Sequence, residues 1–196
     1  MVHPDILFGR LGNRMFQMAY IYSQMKKKKI DDIFIQDPKH FIKYKDEIKK
    51  LFSEGIGLLP YTAIHLRVGK NPLNPAEPKY SENPFYTSMI KTGYYIKALE
   101  HIPHGKCIIF SDDIAVAKTY FEGDRFAFDE SETDIEALNK MASCQNLIGT
   151  NSSFSWWAGF LNPHIDAKII FPKEESWFAD GVVRTKLMPE WLTIDP

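Results

Sequence analysis

Apolar residues fall along this chain in two rhythms. Short continuous runs at residues 6–8, 33–36, 61–66, 107–110, 126–128, 147–149 and 168–171 read as strands, several of them rich in β-branched or aromatic residues. Between them lie segments with helical spacing, at residues 15–22, 41–52, 93–102, 114–121, 134–144 and 154–161. In the lysine-rich segment 41–52 the expected inward positions are Ile42, Ile48, Leu51 and Phe52. Regular strand–helix alternation predicts a parallel sheet covered on both faces, hence an α/β fold. Ligands of such sheets bind beyond the carboxyl ends of the strands. His65, Arg67, Ser111, Asp112, Asn151 and Ser153 all fall at such ends, so residues distant in sequence are expected to converge on one crevice.

Around the stretch NLIGTNSSFSWWAGFL, residues 146–161, the rest of the chain is expected to be organised. A strand ends in a hydroxyl-rich turn, and an apolar helix begins. The first N–H groups of a helix have no partner in their own helix, and the helix dipole favours negative charge there, so Ser152, Ser153 and Ser155 suit a phosphate. Serine is equally a helix cap, and that plainer reading stays open. A second strand–turn–helix opens the chain: Gly9-Arg10-Leu11-Gly12-Asn13 puts Arg10, Asn13 and Arg14 at a helix start, although a lone G-x-x-G also marks an ordinary turn. The proline-rich loop 71–86 is long enough to be an acceptor-facing flap or a surface excursion. The tail 177–196, with two tryptophans and two prolines, is free to pack back on the fold.

Composition narrows the function classes. The chain has 196 residues, 44% hydrophobic and 14% aromatic, enough for a real core. Lysine plus arginine (24) nearly balances aspartate plus glutamate (25), for a net charge of −1, so neither nucleic acid nor an anionic membrane is implied as a partner. The run Lys26–Lys29 sits where the first helix should end and complements its dipole. Cys107 and Cys144 read as buried free thiols. With no long apolar run and no signal-like start, a cytoplasmic protein without a membrane span is expected. Asp112-Asp113 at a strand end reads as a helix cap with a solvated neighbour, and no metal is assigned.

Three segments together resemble the family 11 glycosyltransferases, the α-1,2-fucosyltransferases: GRLGNRMFQMAY from Gly9, HLRVG from His65, and FSDD from Phe110 paired with NSSFSWWAGFLN from Asn151. The glycine turn and H-x-R element are also similar to the wider GDP-fucose fucosyltransferase superfamily. The resemblance implies a GT-B-like enzyme of two Rossmann-like halves with parallel sheets. Residues 1–59 would form a much reduced, acceptor-side half, and residues 60–196 the half that binds the GDP-sugar. It implies transfer of fucose from GDP-fucose to a glycan hydroxyl, α-1,2 to galactose, with inversion and with no metal or other cofactor. Carried onto this sequence, His65 would touch the nucleotide, Arg67 the β-phosphate, and Ser153 with Phe154 the diphosphate and nucleoside. Arg10, Gly12 and Asn13 would face the reaction centre from the first half. The catalytic set is then Arg67, Asn13 and His65.

The departures are specific. Where the family reads H-x-R-R-x-D, this chain has Val68 and Lys70 in place of the second arginine and the aspartate, and Arg14 replaces a glutamine after the glycine turn. Related enzymes place a guanine-reading aspartate where Ala137 stands; Asp134 and Glu136 are the nearby substitutes, and both also suit a capping box begun by Thr133. No base for the acceptor proton is singled out among His65, Asp5, Asp32 and Asp37. A first half of this size is marginal alone, so it must lean on the second half or on another subunit, which leaves a homo-oligomer open. The competing reading is a non-catalytic nucleotide-sugar or glycan-binding protein that kept the same fold.

Overall fold

A computed structural model describes residues 10–27, 36–71 and 74–196, the side chains of 24–27 excepted. The expected strand at 6–8, most of that at 33–36, Lys28 and Lys29 of the lysine run, Asp5 and Asp32 lie outside the described residues.

The expected α/β architecture is present. Among the described residues six parallel strands form one sheet: β1 (Leu59–Leu66), β2 (Cys107–Ser111), β3 (Phe126–Phe128), β4 (Cys144–Ile148), β5 (Ile169–Pro172) and β6 (Leu192–Ile194), in the order β3-β2-β1-β4-β5-β6. This is the doubly wound order, and its direction reverses between β1 and β4. Neighbours pair in register, for example His65 with Phe110 and Ile64 with Ile148. The tail thus returns to the sheet as the edge strand β6, which at three residues is too short for a periodic signal.

Period-2 alternation divides the core into two. Ala63, Ile108, Phe110, Leu147 and Phe171 face one side; Ile64, Leu66, Ile109, Ile148 and Ile170 face the other. The second face is covered by α3 (Tyr94–Glu100) and α4 (Ile114–Ala117), where Tyr95 donates from its hydroxyl to His65 O (2.8 Å) and Tyr94 to Gly149 O (2.9 Å), bracing the strand ends. The first is covered by α5 (Asp134–Ser143) and α6 (Ser153–Leu161).

Helix α6 is apolar all round because it is buried all round. One side lies on the sheet; the other meets α1 (Leu11–Lys27) and the segment leading into α2 (Lys45–Phe52). Phe16 packs at 4.5 Å from Trp156 and 5.1 Å from Trp157, and Phe41 stacks on Trp157 at 5.9 Å and 13°. The described part of residues 1–59 therefore shares its core with the sheet domain. Segment 41–52 is a short 3-10 turn, Ile42–Tyr44, followed by α2, rather than one helix; Ile48 is buried and Phe52, one turn on, packs partly buried on the core, whereas Ile42, in the 3-10 turn, is off that stripe and Leu51 falls beside it, and both are exposed. Cys107 and Cys144 are free and buried.

Candidate active site

The starts of α6 and α1 meet above the β1/β4 switch point. After β4 the chain turns through Thr150 and Asn151 to Ser152, whose side chain accepts from Phe154 N–H (3.2 Å) and caps α6. That leaves the N–H groups of Ser153 and Ser155 without intrahelical partners. Gly12 of α1 lies directly against this turn: a Cβ there would stand 2.6 Å from Ser153 C and 2.7 Å from Phe154 N, so only glycine allows the approach. A side-chain chain then ties the segments together. Ser153 Oγ donates to Asn13 Oδ1 (2.7 Å), Gln36 Nε2 donates to the same oxygen (3.1 Å), and Thr185 Oγ1 donates to Gln36 Oε1 (2.7 Å).

Around this junction lies a cleft of about 430 Å³. Arg10, Gly12, Asn13, Arg67, Asp134, Ser152, Ser153 and Phe154 all line it, drawn from both ends of the described chain. Two expected contacts do not. Ser155 is fully buried: its hydroxyl accepts from Thr150 N–H (3.2 Å) and donates to Ser152 O (3.2 Å), so it shapes the turn and has no hydroxyl to offer an anion. His65 also lies beneath the cleft, its ring 5.6 Å from that of Phe154. Asn151 lines the cleft, but its amide is spent on Thr87 O (2.9 Å) and Trp177 O (3.0 Å).

Electrostatics set the character of the inner end. Arg67 is stacked 3.6 Å over the Tyr80 ring. Burial lowers its pKa, Tyr80 and Asp112 raise it, and Arg10 lowers it; guanidinium nevertheless stays charged. Arg10 stands 3.9 Å from Asp112, too far for a tight pair. The other Asp112 oxygen accepts from Val68 and Gly69 N–H (2.8 Å each), and a Cβ on Gly69 would strike Asp112 O at 2.7 Å. Asp112 is thus the holder of the turn after β1 and not a solvated neighbour; Asp113 caps α4, accepting from Val116 N–H. Val68 is buried in the core and Lys70 is exposed, so neither replaces the missing charges in the cleft. Glu136 completes the capping box with Thr133, whereas Asp134 lines the cleft.

His65 is held neutral. Burial, then Arg67, then Arg10 push its pKa down to about 3, and its Nδ1 has no hydrogen-bond partner among the described residues. An unfolded chain takes up this proton below about pH 6.5, which the native state refuses, so the stability is whole above that pH and is lost as pH falls toward about 3. Between neutrality and about pH 5 the loss from this group is expected to reach about 2 kcal/mol. Urea unfolding of wild type and His65→Gln at both pH values measures it: the stability difference should shift in favour of the variant on acidification. Parallel pH profiles would show that His65 already titrates normally in the fold.

Gln36, Tyr80, Phe85, Tyr86, Phe178, Arg184 and Thr185 also line the cleft. Gln36 ends the expected strand 33–36; the others carry no periodic or motif signal, and the long loop 71–86 and the tail 177–196 are the nearest pointers to them.

The family model for glycosyl transferase family 11 matches residues 85–195, more than half of the chain. The chain belongs to glycosyl transferase family 11. An O-antigen biosynthesis glycosyltransferase of Escherichia coli, WbnK, is 28% identical over 141 residues, covering 68% of this chain and 44% of that protein. This family 11 chain therefore spans less than half the length of the curated relative it matches. Solved structures of POFUT1 are also similar in part: one in complex with GDP-fucose (16% identity, TM-score 0.32) covers 64% of this chain and 45% of that one, and one in complex with GDP (15%, TM-score 0.32) covers 64% and 47%. No helix among the described residues is long and apolar enough to cross a membrane, and no cluster of metal-ligating side chains occurs among them.

Proposed function

We propose that this family 11 protein moves fucose from GDP-fucose to a glycan hydroxyl, α-1,2 to galactose, with inversion and without a metal. The supporting observation is the convergence of Arg10, Arg67 and two helix starts on one cleft at the sheet's switch point. In this reading Arg67 holds the β-phosphate through its planar fork while the free N–H groups at the start of α6 hold the rest of the diphosphate; the Ser153 hydroxyl, whose proton goes to Asn13 Oδ1 (2.7 Å), sets the turn. The bond from the anomeric carbon to the β-phosphate oxygen breaks with its electron pair on that oxygen, and the acceptor oxygen bonds to the opposite face of the carbon. Fixed cationic groups stabilise the charge that gathers on the departing diphosphate. Early departure leaves the carbon cation-like, so a weak base suffices for the acceptor proton. Asp134 accepts from the guanine edge. Asn13, held by Ser153 and Gln36, orients the sugar from the α1 side.

His65 takes a different part from that first expected. Out of the cleft and with its pKa pushed down to about 3, it is no base near neutrality, and it supports Phe154 from below. The same observation favours the second reading, a non-catalytic nucleotide-sugar-binding protein. GDP release from GDP-fucose by the purified protein, with and without galactose-terminated acceptors and with EDTA, separates the two. Acceptor-dependent release insensitive to EDTA is expected. Donor binding without turnover would favour the binding protein, and no donor binding would overturn the donor assignment.

A further inference from the structure

The cleft has a second end of different chemistry. The loop after β1 and the segment after β5 zip together there: Tyr86 and Phe178 form an antiparallel bridge, Ala179 N–H donates to Phe85 O (3.1 Å), and Thr87 N–H to Trp177 O (3.3 Å). Asn151 pins this seam from the turn before α6, donating to a carbonyl on each side. The loop is also fixed to the turn after β1, with Tyr80 N–H donating to Gly69 O (2.8 Å), and to the cap of α4, with Lys79 paired to Asp113 at 3.1 Å. A ledge of rings results. Phe85, Tyr86 and Phe178 stand 5.0 to 5.6 Å from one another, and Arg184 lies 5.0 Å over Phe85 and 4.6 Å over Phe178.

Charge distinguishes this ledge from the inner end. Arg184 is neutralised by a two-pronged pair with Asp180 (2.9 and 2.7 Å), whereas Arg67 has no carboxylate partner among the described residues. A neutralised guanidinium is a poor phosphate anchor, but its spare N–H groups still donate to hydroxyls, and the Asp180 oxygens still accept from them. Phe85 is 45% exposed and lies against the partly exposed Tyr86 and Phe178, so the three rings form one contiguous apolar patch beside the cleft. An electron-rich ring face beside fixed, net-neutral polar groups matches a sugar ring, whose C–H face is apolar and whose rim is all hydroxyls.

The geometry points to the Phe85–Phe178–Arg184 ledge as the acceptor-sugar subsite, taking a neutral hexose whose C–H face lies on Phe85 and whose hydroxyls meet Arg184 and Asp180. This deepens the transferase reading and rests on it.

Two titrations on the full chain keep the claims separate: GDP-fucose by calorimetry, and methyl β-galactoside by saturation-transfer NMR, each with wild type, Phe85→Ala and Phe85→Tyr. Phe85→Ala should weaken galactoside binding about tenfold, Phe85→Tyr should restore it, and donor affinity should stay within about twofold. Galactoside binding that is absent in wild type, or unchanged in Phe85→Ala, overturns the subsite whatever the donor does. Donor binding that falls with Phe85→Ala also overturns it, since the ledge would then be holding the nucleotide. Absence of donor binding in wild type, with galactoside binding that depends on Phe85, would sink the transferase reading and leave a saccharide site in place.

Discussion

Arg67→Ala is expected to lower turnover at least about 100-fold, as the loss of a donor aimed at transition-state charge commonly does, while leaving the fold as stable as before or more so. The two effects have one cause. Arg67 is half-buried just past the end of β1 with an aromatic face at 3.6 Å and no paired carboxylate among the described residues, a costly arrangement for an ion in the absence of ligand. A bound diphosphate would supply the missing counter-charge. Arg67→Lys keeps the charge but gives up both the fork and the stacking on Tyr80, so its turnover should fall between wild type and alanine. Thermal unfolding adds a linked result: GDP should raise the Tm of wild type more than that of Arg67→Ala, because ligand stabilisation follows affinity. Turnover near wild type in the alanine variant, or an equal Tm rise in both proteins, would remove Arg67 from the donor site.

Much of this arrangement is legible from local pattern. The apolar runs that become β1 to β5 are bounded by turn residues, and the doubly wound alternation carries Arg67 and the Ser152–Phe154 turn to one crevice with no tertiary information. What local pattern cannot give is the partner of a lone polar group. Asp112 looks like a cap neighbour, and only the return of the chain from residue 68 shows whose N–H groups it holds. Ser155 has the spacing of an anion ligand, yet a hydroxyl buried within its own turn satisfies the backbone first. The ledge is the extreme case. Phe85 and Arg184 lie in loops with no period, 99 residues apart, and meet because Asn151 draws both loops to the α6 turn. Likewise β6 is a strand only because β5 offers it an edge.

The tightest constraint in the site is the contact of α1 with α6, and Gly12→Ala should break it. The added Cβ would lie 2.6 Å from Ser153 C and 2.7 Å from Phe154 N, and both are backbone atoms of a capped helix start that cannot rotate away. The two backbones would have to separate by most of an ångström. Overpacking of this kind costs about 1–3 kcal/mol. Activity should suffer more than stability, because the same movement pulls Asn13 from Ser153 (2.7 Å) and from Gln36 (3.1 Å), and misplacement of a site by about 1 Å is worth about 100-fold in rate. Urea unfolding and kcat/KM on the folded fraction measure the two losses separately. A variant with both values near wild type would mean that α1 is free to stand away from α6, and the cleft would no longer need residues 10–13 to be complete. A variant that loses stability but keeps its rate would instead confine the role of Gly12 to packing, and would take Asn13 out of the reaction.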